Sequence, residues 1–183
     1  MKKPQYPPVV VVDESDNEIG TAPLSEVWKN GLYHRIVSIY VFDENKRILL
    51  QRRSSQVKMY PNLWDQAAGG HVDEGSTYDE AALNELAEEL GIFNIPLQLM
   101  GTFRTNNILS DGRIINQFER VYLVKVSHLK KLKINTNEVM EVKWFSPEEI
   151  KELVLHHSEE LTPGLLIGLH QFFPEITPKN TNS

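Results

Sequence analysis

The sequence predicts an α/β domain of the α+β type, in which several strands are interrupted by one well-marked helix. Three observations lead to this prediction. The chain has 183 residues, of which 40% are hydrophobic, and this suits one domain with a sizeable core. Short apolar runs bounded by turn-forming residues recur along the chain, as strands do. No internal repeat or low-complexity linker divides these runs. We therefore expect one domain rather than two.

The first part of the chain predicts a strand pair and a short helix. VVVVDESDNEIGTA (9–22) has apolar ends around a polar turn, and SEVWKNGLYHR (25–35) fits a helix that ends near Gly31. We predict that 1–32 form an N-terminal extension packed on a main domain at 33–175. Such an extension is compatible with a homodimer arm or with a cover strand on its own domain.

The main domain begins with a predicted hairpin, 36–42 and 47–53, and continues through a loop to the clearest helix. Ser76 or Thr77 can cap this helix, because each is followed three residues later by an acid. Gly91 stands where a left-handed residue would end it. On a helical projection Leu83, Leu86 and Leu90 form the buried face.

The second half of the chain predicts three more strands and two more helices. The strands are expected at 97–103, 114–126 and 138–145. One helix begins at the Ser146 cap with proline at its first position, and another spans 163–173. We predict that the last residues, 176–183, form a flexible tail.

Charge and composition exclude several classes of function. Between Met59 and Phe103 there are eight acids and no Lys or Arg, so this window carries −8 while the whole chain carries −6. Such an acidic segment argues against stable binding to nucleic acid or to an anionic membrane. The chain has no cysteine, which excludes thiol nucleophiles and disulfides. No apolar run approaches the roughly 20 residues of a membrane span, and no signal-peptide pattern is present. We expect a cytoplasmic protein.

The acidic helix predicts a metal site. Glu85, Glu88 and Glu89 are spaced i, i+3 and i+4, so their carboxylates lie on adjacent turns and repel one another. A divalent cation would remove that repulsion, and oxygen ligands favour Mg²⁺ or Mn²⁺. Directly before the helix, Gly69 and Gly70 allow bare backbone to approach a ligand, with carbonyls for metal and N–H groups for phosphate. A solvated acidic face is the alternative for the helix taken alone.

At this point the sequence resembles the Nudix hydrolase superfamily. GHVDEG (70–75) followed by ELAEELGI (85–92) is similar to the motif of that family, whose members cleave diphosphate linkages with Mg²⁺ or Mn²⁺. The resemblance implies a mixed β-sheet sandwiched between helices. Two motif positions depart from the pattern: Ser76 stands where glutamate is usual, and Asn84 where arginine is usual. Since those two residues commonly pair, we hypothesise that a neutral hydrogen bond replaces them here.

The resemblance also implies roles for residues. Glu85, Glu88 and Glu89 would bind the metal, with the Gly70 carbonyl as a further ligand. Glu85 is the first candidate for the base that takes a proton from water, and Glu119 is the second. For the substrate phosphates, the paired glycines offer backbone N–H groups, and the arginine candidates are Arg52 and Arg35. Strand alternation allows at most one of Arg52 and its neighbour Arg53 to face the substrate.

Flanking segments resemble the isopentenyl-diphosphate isomerase branch of the superfamily. These segments are LYHR (32–35), ILLQRRSS (48–55), MYPNLWDQAAGGH (59–71) and NEVMEVKW (137–144). The isomerases need a cysteine shortly before the histidine that matches His71, and this chain has no cysteine. The chain is therefore more similar to the isomerase-like hydrolases of that branch. His34 and His71 match metal-ligand histidines of the isomerases, which leaves a second metal position open.

Three functions therefore stay under consideration. The first is a metal-dependent hydrolase acting on a nucleoside diphosphate derivative or a related small diphosphate compound. The second is an isomerase of the isopentenyl-diphosphate type, and the third is a protein that binds a diphosphate without turnover.

Overall fold

The computed structural model describes residues 7–127 and 132–178, and nine strands and four helices follow one another in this part of the chain. In chain order they are β1 (Val9–Val12), β2 (Glu18–Ala22), α1 (Leu24–Asn30), β3 (Tyr33–Asp43), β4 (Ile48–Arg53), β5 (Trp64–Asp65), β6 (Ala68–His71), α2 (Tyr78–Leu90), β7 (Gln98–Ile108), β8 (Ile114–Val126), β9 (Val139–Phe145), α3 (Pro147–His156) and α4 (Pro163–Phe172). Short 3₁₀ turns lie at Ser158–Glu160 and Pro174–Ile176.

Strand β3 is the centre of one mixed sheet. It runs parallel to β8 along its whole length, and β8 pairs antiparallel with β7. It also pairs in succession with three antiparallel strands, β1, β6 and β4. Strand β4 extends the sheet through β5 and β9. The short β6 therefore lies against the middle of the central strand.

Helices cover both faces of this sheet. Leu86 of α2 packs with Val37 and Ile39 on one face. On the other face Tyr40 packs with side chains of α3 and α4, such as Leu165. Because successive strand residues point to opposite faces, β3 supplies both cores from alternate positions. The predicted mixed sheet between helices is confirmed.

The N-terminal segment adds to the same sheet. β1 and β2 form an antiparallel pair, and β1 continues onto β3 by pairing Val11 with His34. A small core of Val9, Val27 and their neighbours joins this pair to α1, which ends at Gly31 in the left-handed conformation. The predicted strand pair and short helix are therefore present. Residues 1–6 of the predicted extension lie outside the described residues.

Some strand predictions were too short or absent. β7 continues through 104–108, which the sequence did not indicate because these positions carry mostly polar side chains that pair with the start of β8. β5 and β6 lie in segments predicted as loop and glycine cradle. They have only two and four residues, and β6 contains two glycines, so neither shows an apolar alternation.

The buried face of α2 was predicted at the wrong angle. Leu83 is 40% exposed, whereas Ala81, Ala82 and Glu89 are buried beside Leu86. The two small alanines let the helix lie close to the sheet, and the helix is turned so that Glu89 points inward. The prediction failed because it placed every leucine inside and every glutamate outside.

The end of the described chain is packed. Ile176 and Thr177 are buried, and Ile176 joins the core that contains α3 and α4. The rest of the predicted tail, 179–183, lies outside the described residues. In the described part of the chain, no helix is long and apolar enough to cross a membrane.

Candidate active site

The ends of α2 are fixed as the sequence predicts. Thr77 is the cap: its hydroxyl accepts a hydrogen bond from the Glu80 N–H, and the Glu80 carboxylate accepts from the Thr77 N–H at 2.8 Å. Gly91 ends the helix with φ 67°, and its N–H donates to the Ala87 carbonyl. These two caps fix the length of the helix and hence the positions of its glutamates.

Glu89 is buried against the sheet and has two donors. Its Oε2 accepts a hydrogen bond from Gln51 Nε2 at 3.0 Å and from the Gly69 N–H at 3.2 Å. Burial, together with the nearby Glu85 charge, raises the pKa of Glu89 well above its ordinary value. Burying this carboxylate lowers the stability of the folded protein, because an ionised group without a countercharge costs free energy when it is buried.

Glu85 lies against the glycine strand. A β-carbon at position 70 would overlap the Glu85 carboxylate, so only glycine allows this close approach. Burial raises the pKa of Glu85 to about 8, and the charges of Glu138 and Glu88 add to the effect. The side chain of Glu88 is exposed. The sequence placed these three glutamates together on α2, and the structure brings Glu85 and Glu89 to the Gly69-Gly70 strand.

Glu138 is a fourth carboxylate that sequence reasoning missed. Its charge raises the pKa values of Glu85 and Glu89, so it lies within electrostatic reach of both. The loop before β9 carries it there: Asn135 N–H donates to the Glu89 carbonyl at 3.0 Å, and Asn135 Nδ2 donates to Glu138 Oε1 at 2.9 Å. Its local signals were an acid at the start of the predicted strand 138–145 and a place in NEVMEVKW, a segment that resembles the isomerase branch.

Glu119 is not brought together with these groups. On β8 it points to the same face of the sheet as Val121, which packs in the core of α3 and α4, so Glu119 faces away from α2. It is 1% exposed and accepts a hydrogen bond from Ser38 Oγ at 2.5 Å. Burial is the main cause that raises its pKa to about 7.

The two arginines predicted to bind phosphate are already paired with carboxylates. Arg35 Nε donates to Asp16 at 2.7 Å. Arg52 lies outward, 3.4 Å from Glu141. Its neighbour Arg53 turns inward and donates to Asp65 at 3.0 Å, and its charge lowers the pKa of Glu89. Of the Arg52–Arg53 pair, the inward residue is therefore the one that sequence reasoning did not select.

His34 and His71 form a stacked pair, with ring centroids 5.3 Å apart. Burial lowers the pKa of His34 to about 4 and that of His71 to about 3, so both imidazoles are neutral near pH 7. His34 Nε2 has no hydrogen-bond partner among the described residues. A second metal at these histidines stays a prediction.

The donor set on α2 fits a hard divalent cation. It consists of carboxylate oxygens, and mutual repulsion and burial disfavour their ionisation in the absence of a countercharge. Within the described residues, the only three His, Asp or Glu side chains with ligand atoms within 4.8 Å of one another are the exposed His157, Glu159 and Glu160.

The chain also matches known proteins. A family model described as the NUDIX domain matches residues 32–164, which is more than half of the chain. The chain belongs to the Nudix family. It is therefore a hydrolase of the Nudix type, a class that generally cleaves diphosphate bonds.

Individual relatives specify the branch. Isopentenyl-diphosphate Delta-isomerase 2 of Photorhabdus laumondii is 32% identical over 146 residues, covering 80% of this chain and 81% of the relative. An uncharacterized Nudix hydrolase of Nostoc is 32% identical over 164 residues, covering 89% and 93%. This Nudix protein thus belongs to the branch that contains the isomerases. A solved Deinococcus radiodurans structure has a TM-score of 0.75 at 21% identity, over 91% of this chain and 99% of that chain, so the two share a fold. A MutT NUDIX hydrolase of Burkholderia pseudomallei has a TM-score of 0.59 at 22% identity, over 76% of this chain and 97% of that chain, which confirms the Nudix fold.

Proposed function

We propose that this protein is a metal-dependent diphosphohydrolase that cleaves a diphosphate linkage in a nucleoside diphosphate derivative or a related small compound. One observation carries the proposal: Glu85 and Glu89 are held at a glycine strand with raised pKa values, where a cation would stabilise their ionised forms. A stability-only role does not explain why a buried acid, Glu89, and a partly buried one, Glu85, lie on successive turns at this strand.

In this proposal Glu85, Glu88 and Glu89 hold Mg²⁺ or Mn²⁺, with the Gly70 carbonyl as a further ligand. The bound metal would neutralise diphosphate charge and lower the pKa of a water molecule. Gln51 and the Gly69 N–H orient Glu89 through their hydrogen bonds to its Oε2. Gly70 leaves the room in which the Glu85 carboxylate lies.

Glu85 is the better candidate for the base that takes the proton of the attacking water. It lies at the glycine strand beside the other α2 glutamates, where a metal-bound water would be within reach. Glu119 lies on the other face of the sheet, is fully buried and is bonded to Ser38. It would have to leave that position to reach a water molecule at α2.

The structure gives little support to the isomerase alternative. The chain has no cysteine. A β-carbon at position 69, one of the positions before His71 where the isomerase cysteine could match, would lie 2.7 Å from the Val37 carbonyl and 2.8 Å from Gln66 Nε2. Both distances are shorter than a carbon atom tolerates without movement of its neighbours. Gly69 therefore supports hydrolysis over isomerisation.

The test is a substrate panel with two motif variants. Purified protein is incubated with nucleoside and isoprenoid diphosphate compounds plus Mg²⁺ or Mn²⁺, and phosphate release and isomer formation are measured. We expect metal-dependent release that chelation abolishes and that Glu88→Gln and Glu89→Gln each reduce by at least about 10-fold. Glu148→Gln, an exposed glutamate on α3, is the matched control and should leave the rate unchanged.

Two results would contradict the proposal. Release that persists at the wild-type rate in both motif variants would remove the α2 site from the reaction. Metal-dependent binding of a diphosphate without release would support the non-catalytic binding protein instead.

A further inference from the structure

The usual anchor of the motif is absent from this chain. Ser76 and Asn84 replace the glutamate and arginine that commonly pair, and the structure shows no hydrogen bond between them among the described residues. The backbone N–H of Ser76 donates to Asp73, and the side chain of Asn84 is exposed. The hypothesis of a neutral hydrogen bond between the two is therefore wrong. The Thr77 cap defines where α2 begins, but the position of this end relative to the sheet depends on contacts with other elements.

The turn between β1 and β2 reaches the first residue of α2. Asp13 builds this turn by accepting hydrogen bonds from the N–H groups of Ser15 and Asn17 at 2.8 and 3.0 Å. Asp16 follows with φ 63°, in the left-handed region that aspartate tolerates better than most residues. The turn is thus built locally, and it directs the Asp16 side chain toward the main domain.

Asp16 contacts both α2 and β3 of the main domain. Tyr78, the first residue of α2, is buried, and its hydroxyl donates to the Asp16 carboxylate at 3.1 Å. Arg35 of β3 donates through Nε to the Asp16 carboxylate at 2.7 Å and through a terminal nitrogen to the Asp16 carbonyl at 2.6 Å. One aspartate of the extension therefore ties α2 to the central strand.

The surrounding charges strengthen this contact. The Tyr78 ring lies 3.8 Å from the guanidinium carbon of Arg120 and 5.1 Å from that of Arg35. The next helical residue, Asp79, accepts a hydrogen bond from the Tyr122 hydroxyl. Strand β8 thus holds the same end of α2 from a second direction.

We propose that Asp16 is a positioning residue for the α2 glutamates and takes over the role of the absent glutamate–arginine pair; this inference rests on the proposed metal-dependent function. Within the described residues, the side-chain partners of Asp16 are Arg35 and Tyr78, neither of which is a proposed metal ligand. It acts through the helix, because Tyr78 and Glu85 are two turns apart on one 13-residue rigid element. Rotation or displacement of the helix at Tyr78 would move Glu85 away from the glycine strand.

The test measures Mn²⁺ affinity by calorimetry, with no substrate needed. Asp16→Gly removes the side chain without adding backbone strain, and Tyr78→Phe removes only the hydroxyl. We expect each to weaken Mn²⁺ binding by about 10-fold, the effect typical of groups that orient metal ligands. The double variant should bind no more weakly than Asp16→Gly, because both changes break the same hydrogen bond. Asp16→Asn, which keeps an acceptor oxygen, should restore most of the affinity.

Asp43→Ala is the matched control. Asp43 also accepts from an arginine, Arg47, at 2.7 Å, but its hydrogen bonds stay within the β3–β4 hairpin. Circular dichroism checks that each variant is folded, and Tyr78→Phe decides the matter if Asp16→Gly does not fold. Unchanged affinity in the folded single variants, or an equal loss in Asp43→Ala, would overturn the inference alone. A wild-type protein that binds no Mn²⁺ would overturn both the inference and the proposed function.

Discussion

Glu119→Gln is expected to make the protein more stable at alkaline pH. Burial raises the pKa of Glu119 from its ordinary 4.5 to about 7. The unfolded chain therefore loses this proton at a lower pH than the folded one does, and the wild type loses stability as the pH rises from 4.5 to 7. The difference between the two pKa values corresponds to about 3 kcal/mol of unfolding free energy. Glutamine keeps the shape, stays neutral and can still accept from Ser38.

The assay is urea unfolding at pH 4.5 and pH 8 in the presence of a chelator. Between pH 4.5 and pH 8, the unfolding free energy of the variant should rise by about 3 kcal/mol relative to that of the wild type. Glu85 and Glu89 also have raised pKa values, but they are present in both proteins and cancel in the comparison. Glu44→Gln, in an exposed turn, is the control. A difference that is the same at both pH values would refute the argument.

The same variant also separates the two candidate bases. If Glu85 takes the proton, Glu119→Gln should keep most of the hydrolytic rate at pH 7. A loss of about 100-fold or more, the size expected when a general base is removed, would instead assign that role to Glu119.

Two further substitutions test how the α2 glutamates are held. Gly70→Ala should reduce hydrolysis and Mn²⁺ affinity by at least about 10-fold, because a β-carbon there overlaps the Glu85 carboxylate; titration calorimetry measures the affinity, and unchanged binding would contradict the close approach. Gln51→Leu should weaken Mn²⁺ binding by about 10-fold, because Glu89 loses its side-chain donor; wild-type affinity in this variant would show that the Gly69 N–H orients Glu89 without help.

Local chemistry explains which parts of the site could be predicted. The glutamate spacing on α2, the Thr77 cap and the Gly91 end are properties of a single helix, and each follows from rules about neighbouring residues. The glycine pair was recognised as a place of close backbone approach, and the structure gives the reason at Gly70. These features needed no knowledge of what lies across the sheet.

Features that depend on distant parts of the chain were missed. Glu138 is far from α2 in the sequence and reaches it only because the loop before β9 bonds to the end of the helix. The contact between Asp16 and Tyr78 joins residues 62 positions apart. Arg52 and Arg53 alternate as predicted, but the ladder alone did not reveal which one faces Asp65.

The buried carboxylates also show why the helix face was predicted wrongly. An amphipathic pattern assumes that acids stay in water, and by that rule Glu89 belongs outside and Leu83 inside. The structure reverses both, with Glu89 buried and Leu83 40% exposed. Burying Glu89 costs stability unless a countercharge is supplied. Places where a local rule is broken at a free-energy cost are typical of functional sites. Gln51, Gly69 and the small alanines all accommodate the buried Glu89. This departure from the amphipathic pattern is therefore itself an argument that α2 is shaped to bind a cation.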